Sequence, residues 1–264
     1  MPTLDSMSFI DFKRQDGVAI VRLNRPDKLN SLTGEMILSL TDLFRSFASD
    51  PSLRAVILTG TGEKAFCVGT DINELADGDE AEALKVSQRG QTLCDLIEQC
   101  PVPVIAALNG LAVGGGCELA LACHIRLATA NVRFSLPETR LGIMPGYGGT
   151  QRMPREVGRS RALEIMLGGR EVSAAEAERL GLINRVVDAA DLITEAQTLA
   201  QDIARLAPLA IRACLESVRV GLELPLDEGL AVEARLFADL FATADMREGT
   251  RAFLEKRAAK FQGE

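Results

Sequence analysis

Two clusters of glycine, each close to a glutamate, are the strongest candidates for a catalytic site. Four glycines fall within 110–116 and four within 142–149, with Glu118 just after the first cluster and Glu138 just before the second. N–H groups of glycines that open a helix have no intrahelical acceptor and no side-chain shield. They can therefore stabilise an oxygen that gains negative charge during a reaction. Close packing of the helix on its strand is the other interpretation of these glycines.

Each glutamate also has two interpretations. Glu118 should fall in the first turns of a helix, among apolar neighbours. There it is either solvated and favoured by the helix dipole, or partly buried with a raised pKa that suits proton transfer. Glu138 follows Pro137, which suits the first position of a helix, and can simply be an N-terminal helix charge. Only the fold can bring the two glutamates together.

The composition excludes several other chemistries. The 264 residues include one histidine, His124, and no tryptophan, so a multi-histidine metal site is impossible. We interpret His124 as structural. The six cysteines contain no C-x-x-C pair, predict no metal site, and fit buried apolar positions. The sequence has no dinucleotide fingerprint, phosphate loop or G-x-S-x-G elbow. We therefore expect carboxylate side chains to carry out any general acid–base catalysis.

Charge and hydropathy bear on location and partners. The formal net charge is -8, which disfavours binding to nucleic acid. No stretch approaches the roughly 18 apolar residues of a membrane span, and the first ten residues do not resemble a signal peptide. We therefore expect a cytoplasmic protein without a membrane or nucleic-acid partner.

The apolar patterns predict the elements that must position these residues. Short β-branched or apolar runs predict strands, and helical spacing predicts the segments between them, which implies largely parallel pairing. The second predicted helix should turn Leu84, Val86, Leu93, Leu96 and Ile97 inward. From about residue 160 the pattern is helical, so we expect an α/β core over 1–190 and a helical region over 191–264, packed on the core or on a neighbouring subunit. The predicted strands are 18–23, 55–59, 102–108 and 125–128, and the predicted helices are 35–47, 81–99, 162–167, 173–180, 192–206, 207–220 and 226–243.

Several segments resemble one family in order and spacing. They are 24–32 (NRPDKLNSL), 65–72 (AFCVGTDI), 109–119 (NGLAVGGGCEL), 134–138 (FSLPE), 142–152 (GIMPGYGGTQR), 173–184 and the tail around 248–257. Together they are similar to the enoyl-CoA hydratase/isomerase (crotonase) superfamily, from about residue 8 to the end. The resemblance implies an α/β, crotonase-like fold of repeated β-β-α units with a C-terminal helical region that mediates trimerisation and covers CoA. It also implies a homotrimer or dimer of trimers, an acyl-CoA substrate, no metal and no separate cofactor.

The resemblance also implies residue roles. The backbone N–H groups of Thr70 and Gly115 would form an oxyanion hole, and Glu118 and Glu138 would be the catalytic pair. Thr70 and Tyr147 replace smaller residues usual in the family, and Asn73 stands where lysine is frequent, so the acyl pocket and one phosphate contact depart from the family pattern. Between residues 246 and 261, five basic residues stand against two acidic ones, which suits a CoA phosphate or a solvated helix face. The implied CoA and substrate contacts are Lys28, Leu29, Ala65, Asp71, Ile72, Tyr147, Phe253 and Lys256.

Retention of both glutamates favours an enoyl-CoA hydratase, which adds water syn to a 2-enoyl-CoA. The alternatives are a Δ3-Δ2 enoyl-CoA isomerase, in which Glu138 shuttles the proton, or a pathway-specific hydratase. A CoA-binding or RNA-binding scaffold without turnover is a further alternative, although no basic stripe with interleaved aromatic residues supports it.

Overall fold

The protein is described by a computed structural model over residues 9–76 and 78–264. The prediction that the chain begins without a signal peptide concerns residues that lie mostly outside this range. The strands are β1 (Ile10–Gln15), β2 (Val18–Leu23), β3 (Ala55–Gly60), β4 (Ala65–Cys67), β5 (Val104–Leu108), β6 (Leu111–Val113), β7 (Ile125–Thr129), β8 (Arg133–Ser135), β9 (Val172–Ser173) and β10 (Arg185–Val187). The helices are α1 (Gly34–Phe47), α2 (Glu80–Glu98), α3 (Gly115–Ala122), α4 (Gly149–Val157), α5 (Arg159–Gly168), α6 (Ala174–Leu180), α7 (Leu192–Ala204), α8 (Pro208–Gly221), α9 (Leu226–Leu240) and α10 (Ala244–Glu255).

The strands form two sheets. The larger sheet has the order β1-β2-β3-β5-β7-β10 and is parallel except for the β1–β2 hairpin. The smaller has the order β4-β6-β8-β9, with β8 and β9 antiparallel. Each of β3, β5 and β7 lies in the large sheet, and the short strand that follows it lies in the small one. The predicted repeat of β-β-α units is therefore confirmed.

Apolar side chains on both faces of the large sheet explain its continuous apolar strands. One face joins the main core, which includes Phe44, Phe66 and Phe134. The other face packs against α7 through Ala196 and Ala200. The helix α7 thus covers the sheet although it follows the predicted boundary at residue 190, and the division into two regions remains a prediction.

Several details differ from the sequence-based expectations, including the strand β1 and the helix α4, which the sequence patterns do not predict. Leu84 is 59% exposed, because it lies on the solvent side of α2, whereas Val86, Leu93 and Ile97 are buried. The predicted helix over 226–243 ends at Leu240, and Thr243 then caps a separate helix, α10. Cys214 on α8 is exposed, whereas the other five cysteines are buried free thiols.

Candidate active site

The first glycine cluster forms a tight turn between β6 and α3. Gly114 has a φ of 55° and ψ of -128°, a conformation open mainly to glycine, and its N–H donates to Ser135 O at 2.9 Å. The helix begins at Gly115, whose N–H meets no protein acceptor in the described part of the chain. A Cβ at Gly116 would overlap Cys67 O, so close packing requires this glycine. Gly115 therefore fits the interpretation as a free N–H donor, whereas Gly116 fits the interpretation as a position required by close packing.

A second loop brings Thr70 beside this turn. Thr70 pairs with Leu32 in an isolated parallel bridge, in which Leu32 N–H donates to Gly69 O at 2.8 Å and Asp71 N–H to Leu32 O at 2.8 Å. A Cβ at Gly69 would lie 2.9 Å from Gly115 N, so the two backbones are in direct contact. Thr70 N–H, like Gly115 N–H, donates to no protein acceptor in the ranges described. Two free N–H groups therefore lie on adjacent backbones, as an oxyanion hole requires.

Glu118 is buried one turn into α3, with 1% of its surface exposed. Its Oε1 accepts hydrogen bonds from the N–H groups of Tyr147 at 2.8 Å and Gly149 at 2.7 Å. Burial raises the pKa of Glu118 to about 7 against the lowering effect of the Gly149 N–H, and the nearby charge of Glu138 raises it further. The solvated interpretation is wrong, and Glu118 is poised for proton transfer near neutral pH.

Glu138 begins a short 3-10 helix at 138–141, with Pro137 at the cap position rather than at the first helical position. It lies on the other side of the glycine turn, where a Cβ at Gly114 would be 3.0 Å from its Oε1. Its Oε2 is buried and has no partner in the described chain, and burial raises the pKa of this carboxyl. Glu138 is therefore half-buried, with one carboxylate oxygen shielded from solvent. Its contact with Gly114 places both glutamates around the turn that opens α3.

The groups that hold Glu118 are not indicated by any sequence motif near it. The N–H groups of Tyr147 and Gly149 come from the second glycine cluster, about thirty residues further along the chain. A Cβ at Gly149 would lie 2.9 Å from Glu118 Oε1, so the carboxylate needs a glycine here. The density of glycine in 142–149 was the available signal, although it did not specify the partner.

Several residues that the family resemblance assigns to CoA binding lie in a second group beside Thr70. Leu29 has a left-handed φ of 52°, and Lys28 is exposed. Asp71 pairs with Arg25 at 2.8 Å, and this hydrogen-bonded guanidinium lowers the pKa of Asp71. Its carboxylate is therefore already engaged, and Ile72 beside it is exposed.

Buried Asn30 joins this segment to Ala65. Its Nδ2 donates to Ala65 O at 2.8 Å, and it adopts a left-handed φ of 56°. The loop that carries Lys28 and Leu29 is thereby fixed to the end of β3 and the start of β4.

For the other two implied contacts, Phe253 and Lys256, the structure shows no bond to the site residues within the described ranges. They lie at the C-terminal end of α10, where Phe253 is 83% exposed and Lys256 has a left-handed φ of 57°. No hydrogen bond or ion pair in the described ranges joins them to Thr70, Glu118 or Glu138. Part of the basic character of this tail is internally neutralised, because Arg257 pairs with Glu248 and Glu255.

His124 occupies a structural position. Its Nδ1 accepts the Val104 N–H at 2.9 Å, and its Nε2 lies 3.1 Å from Glu98 O. Burial lowers the pKa of His124, which favours the neutral ring. No group of three or more potential metal ligands occurs among the described residues, and no described helix is long and apolar enough to span a membrane.

The fold and this pair of carboxylates beside free N–H groups define a crotonase-type enzyme architecture. Comparison with known proteins agrees, since residues 13–264 match the family model described as enoyl-CoA hydratase/isomerase. The chain belongs to the enoyl-CoA hydratase/isomerase family.

Similar proteins cover nearly the whole chain. It is 39% identical to the crotonyl-CoA hydratase of Syntrophomonas wolfei, over 96% of this chain and 97% of that protein. It is also 39% identical to the short-chain-enoyl-CoA hydratase of Clostridium acetobutylicum, over 93% and 94%. The crystal structure of an enoyl-CoA hydratase from Bacillus anthracis superposes with a TM-score of 0.95 at 39% identity, covering 97% of this chain and 100% of that one.

Proposed function

We propose that this protein is an enoyl-CoA hydratase that adds water across the 2,3-double bond of a 2-enoyl-CoA thioester. One observation carries the proposal: buried Glu118 and half-buried Glu138, whose Oε2 is shielded from solvent, flank a glycine turn that has two free N–H donors beside it. Hydratases are also the named activity of the relatives above. The chemistry requires neither a metal nor a separate cofactor, because CoA enters with the substrate.

The mechanism begins with the thioester oxygen between the N–H groups of Thr70 and Gly115. Addition of water oxygen to C3 shifts the C2–C3 π electrons towards the carbonyl, so the thioester oxygen gains negative charge. Two donors fixed in place stabilise that charge, and removal of one such donor typically costs about 3 kcal/mol of transition-state stabilisation.

The glutamates supply the proton transfers. Glu118, with its Oε1 held by two N–H groups, takes a proton from the attacking water through its other oxygen. Glu138 delivers a proton to C2, which completes the 3-hydroxyacyl thioester. Protons must then pass back from Glu118 and on to Glu138 before the next turnover. Burial raises the pKa of both carboxyls, and the pKa of Glu118, at about 7, suits proton exchange near neutral pH.

Substitution of each glutamate tests this assignment. Glu118→Gln and Glu138→Gln should each lower kcat for hydration of crotonyl-CoA by about 100-fold or more, followed as loss of the absorbance of the conjugated thioester. Cooperative thermal unfolding and a wild-type circular dichroism spectrum would show that both variants remain folded. Wild-type protein that consumes no 2-enoyl-CoA of any chain length would contradict the proposal.

An isomerase remains a second candidate, because the unpartnered Oε2 of Glu138 is suited to shuttling a proton between carbons. In that case Glu118→Gln should retain isomerisation of a 3-enoyl-CoA, whereas Glu138→Gln should lose it. Salt-sensitive RNA binding by the wild type without turnover would instead favour a scaffold.

We further propose a cytoplasmic homotrimer or dimer of trimers. In a symmetric assembly, Phe253 and Lys256 of one subunit can approach the CoA bound by another. Exposed apolar side chains on the C-terminal helices support self-association: Leu222, Leu226, Leu230, Phe237, Phe241 and Leu254.

A further inference from the structure

The side chain of Tyr147 lies within the proposed site, yet the hydration chemistry uses only its backbone N–H. Tyr147 is 4% exposed, and its Oη lies 2.6 Å from Thr70 Oγ1. The ring also lies against Gly115, since a Cβ there would be 3.0 Å from both Cδ2 and Cε2. Tyr147 therefore contacts both residues of the proposed oxyanion hole.

The ring fills a space that α2 leaves open. A Cβ at Gly90 would overlap Cδ1, Cε1 and Cγ of Tyr147. Glycine in the interior of a helix lowers its stability relative to alanine, so its presence at position 90 needs a packing reason. The ring of Tyr147 supplies that reason, because only a helix surface without a side chain can accept it.

The residues around Tyr147 fix the ring in place. Gly146 O accepts hydrogen bonds from Ser87 Oγ at 2.6 Å and Gln91 Nε2 at 3.1 Å, both on α2. Tyr147 O accepts one from Arg152 Nη1 at 3.1 Å. With the bonds to Glu118 and Thr70, the backbone and the phenol are both held, so the ring cannot readily swing aside.

We propose that the Tyr147 ring, seated on Gly90 and tied to Thr70, is the wall of the acyl pocket on the side of α2, and that it selects short 2-enoyl chains. The inference rests on the proposed function, because the proposed oxyanion hole is what positions the acyl group beside the ring. A thioester with its oxygen at Thr70 and Gly115 and its C3 near Glu118 must lie along this ring. Carbons beyond C4 then meet a fixed aromatic face where a smaller residue would leave room.

The test compares kcat/KM for 2-enoyl-CoA substrates with four, six, eight and ten acyl carbons. Wild type should prefer the shortest chains. Tyr147→Ala should raise the ratio of kcat/KM for the eight-carbon to the four-carbon substrate at least about tenfold, since one methylene in an apolar pocket already changes this ratio by that amount. Tyr147→Phe keeps the ring and should keep the wild-type preference.

Gly90 provides a matched second variant. Gly90→Ala alone should lower the melting temperature, because the new methyl group overlaps the ring. In the Tyr147→Ala background the same change should be tolerated, and it should return the preference towards short chains by refilling the space. If Tyr147→Ala does not fold, Tyr147→Leu serves in its place with the same expected direction.

A Tyr147→Ala variant that changes all chain lengths by the same factor would overturn the inference while leaving the hydratase proposal intact. Wild type that hydrates no substrate would instead contradict the proposed function. In that event, calorimetry can measure the affinities of butyryl-CoA and octanoyl-CoA for wild type and Tyr147→Ala, which tests the role of Tyr147 without turnover. If Tyr147→Ala increases the affinity for octanoyl-CoA but not for butyryl-CoA, the role of the Tyr147 ring as the pocket wall is supported. An equal change in affinity for both ligands overturns it.

Discussion

At the scale of single residues, the burial of Glu118 makes stability depend on pH. Its pKa is about 7 in the folded chain against 4.5 for an ordinary glutamate, so the folded state binds the proton more tightly. Between pH 4.5 and 7 the unfolded chain has lost this proton while the folded chain keeps it. The contribution of protonated Glu118 to the free energy of unfolding is therefore fully present below pH 4.5, and it is lost as the pH rises through 7.

Glu118→Gln should remove this dependence. The free energy of unfolding of the variant relative to wild type should increase between pH 4.5 and 8 by on the order of 3 kcal/mol. Urea unfolding at several pH values measures the difference. A difference that stays constant across this range would show that Glu118 titrates normally in the folded protein.

The sequence motifs identify the candidate site residues but not the groups that surround them. The motifs placed Thr70, Gly115, Glu118 and Glu138 in one predicted site, and the structure gathers these four. The two N–H groups that hold Glu118 lie far along the chain, and only a fixed fold brings them within hydrogen-bond distance. The bond between Thr70 and Tyr147 spans 77 positions, and no local pattern indicates it.

At the scale of elements, apolar patterns predicted four of the five described strands that have five or more residues, but neither β1 nor the short strands. The strand β1 has the mostly polar sequence IDFKRQ and only one fully buried residue, so it lacks an apolar run. The strand β3 is buried along its whole length and appears in the sequence as one apolar run. In contrast, β6 and β8 have three residues each, and pairing with their neighbours defines them more than composition does. Leu84 has the right spacing for the core but faces solvent, because the apolar stripe of α2 does not extend to its first turns.

Asn30 is the residue that joins the loop at 25–31 to the β3–β4 connection. Its Oδ1 accepts the Arg25 N–H at 3.0 Å, and its Nδ2 donates to Thr61 O at 3.0 Å and to Ala65 O. Asn30→Ala should lower the free energy of unfolding by about 3 kcal/mol, because buried polar groups lose their partners and alanine tolerates the left-handed backbone poorly.

Chemical denaturation measures this loss. Lys28→Ala in the same loop is the control, and the exposed position should keep the change within about 0.5 kcal/mol. Equal stabilities of the two variants would contradict the role assigned to Asn30.

At the scale of the whole molecule, the C-terminal helices carry the proposed assembly. Sedimentation should give a mass of three or six times the 28.4 kDa chain. Phe237 is 64% exposed on α9, and Phe237→Glu should shift the protein towards monomers, because the interface would then have to bury a charge. Leu38→Glu on α1, at a position 53% exposed, is the control and should leave the mass unchanged. A monomeric wild type would contradict the assembly.

The distribution of the six cysteines makes one of them a selective chemical handle. Burial raises the pKa of Cys67 and Cys123 to about 12 and that of Cys100 to about 11, and it also raises those of Cys94 and Cys117. Because thiolates are the reactive form, a maleimide dye should label the native chain once, at Cys214 on α8, and the denatured chain six times. Mass spectrometry counts the dyes. A single fluorophore on α8 would then report subunit exchange by energy transfer without removal of any native cysteine.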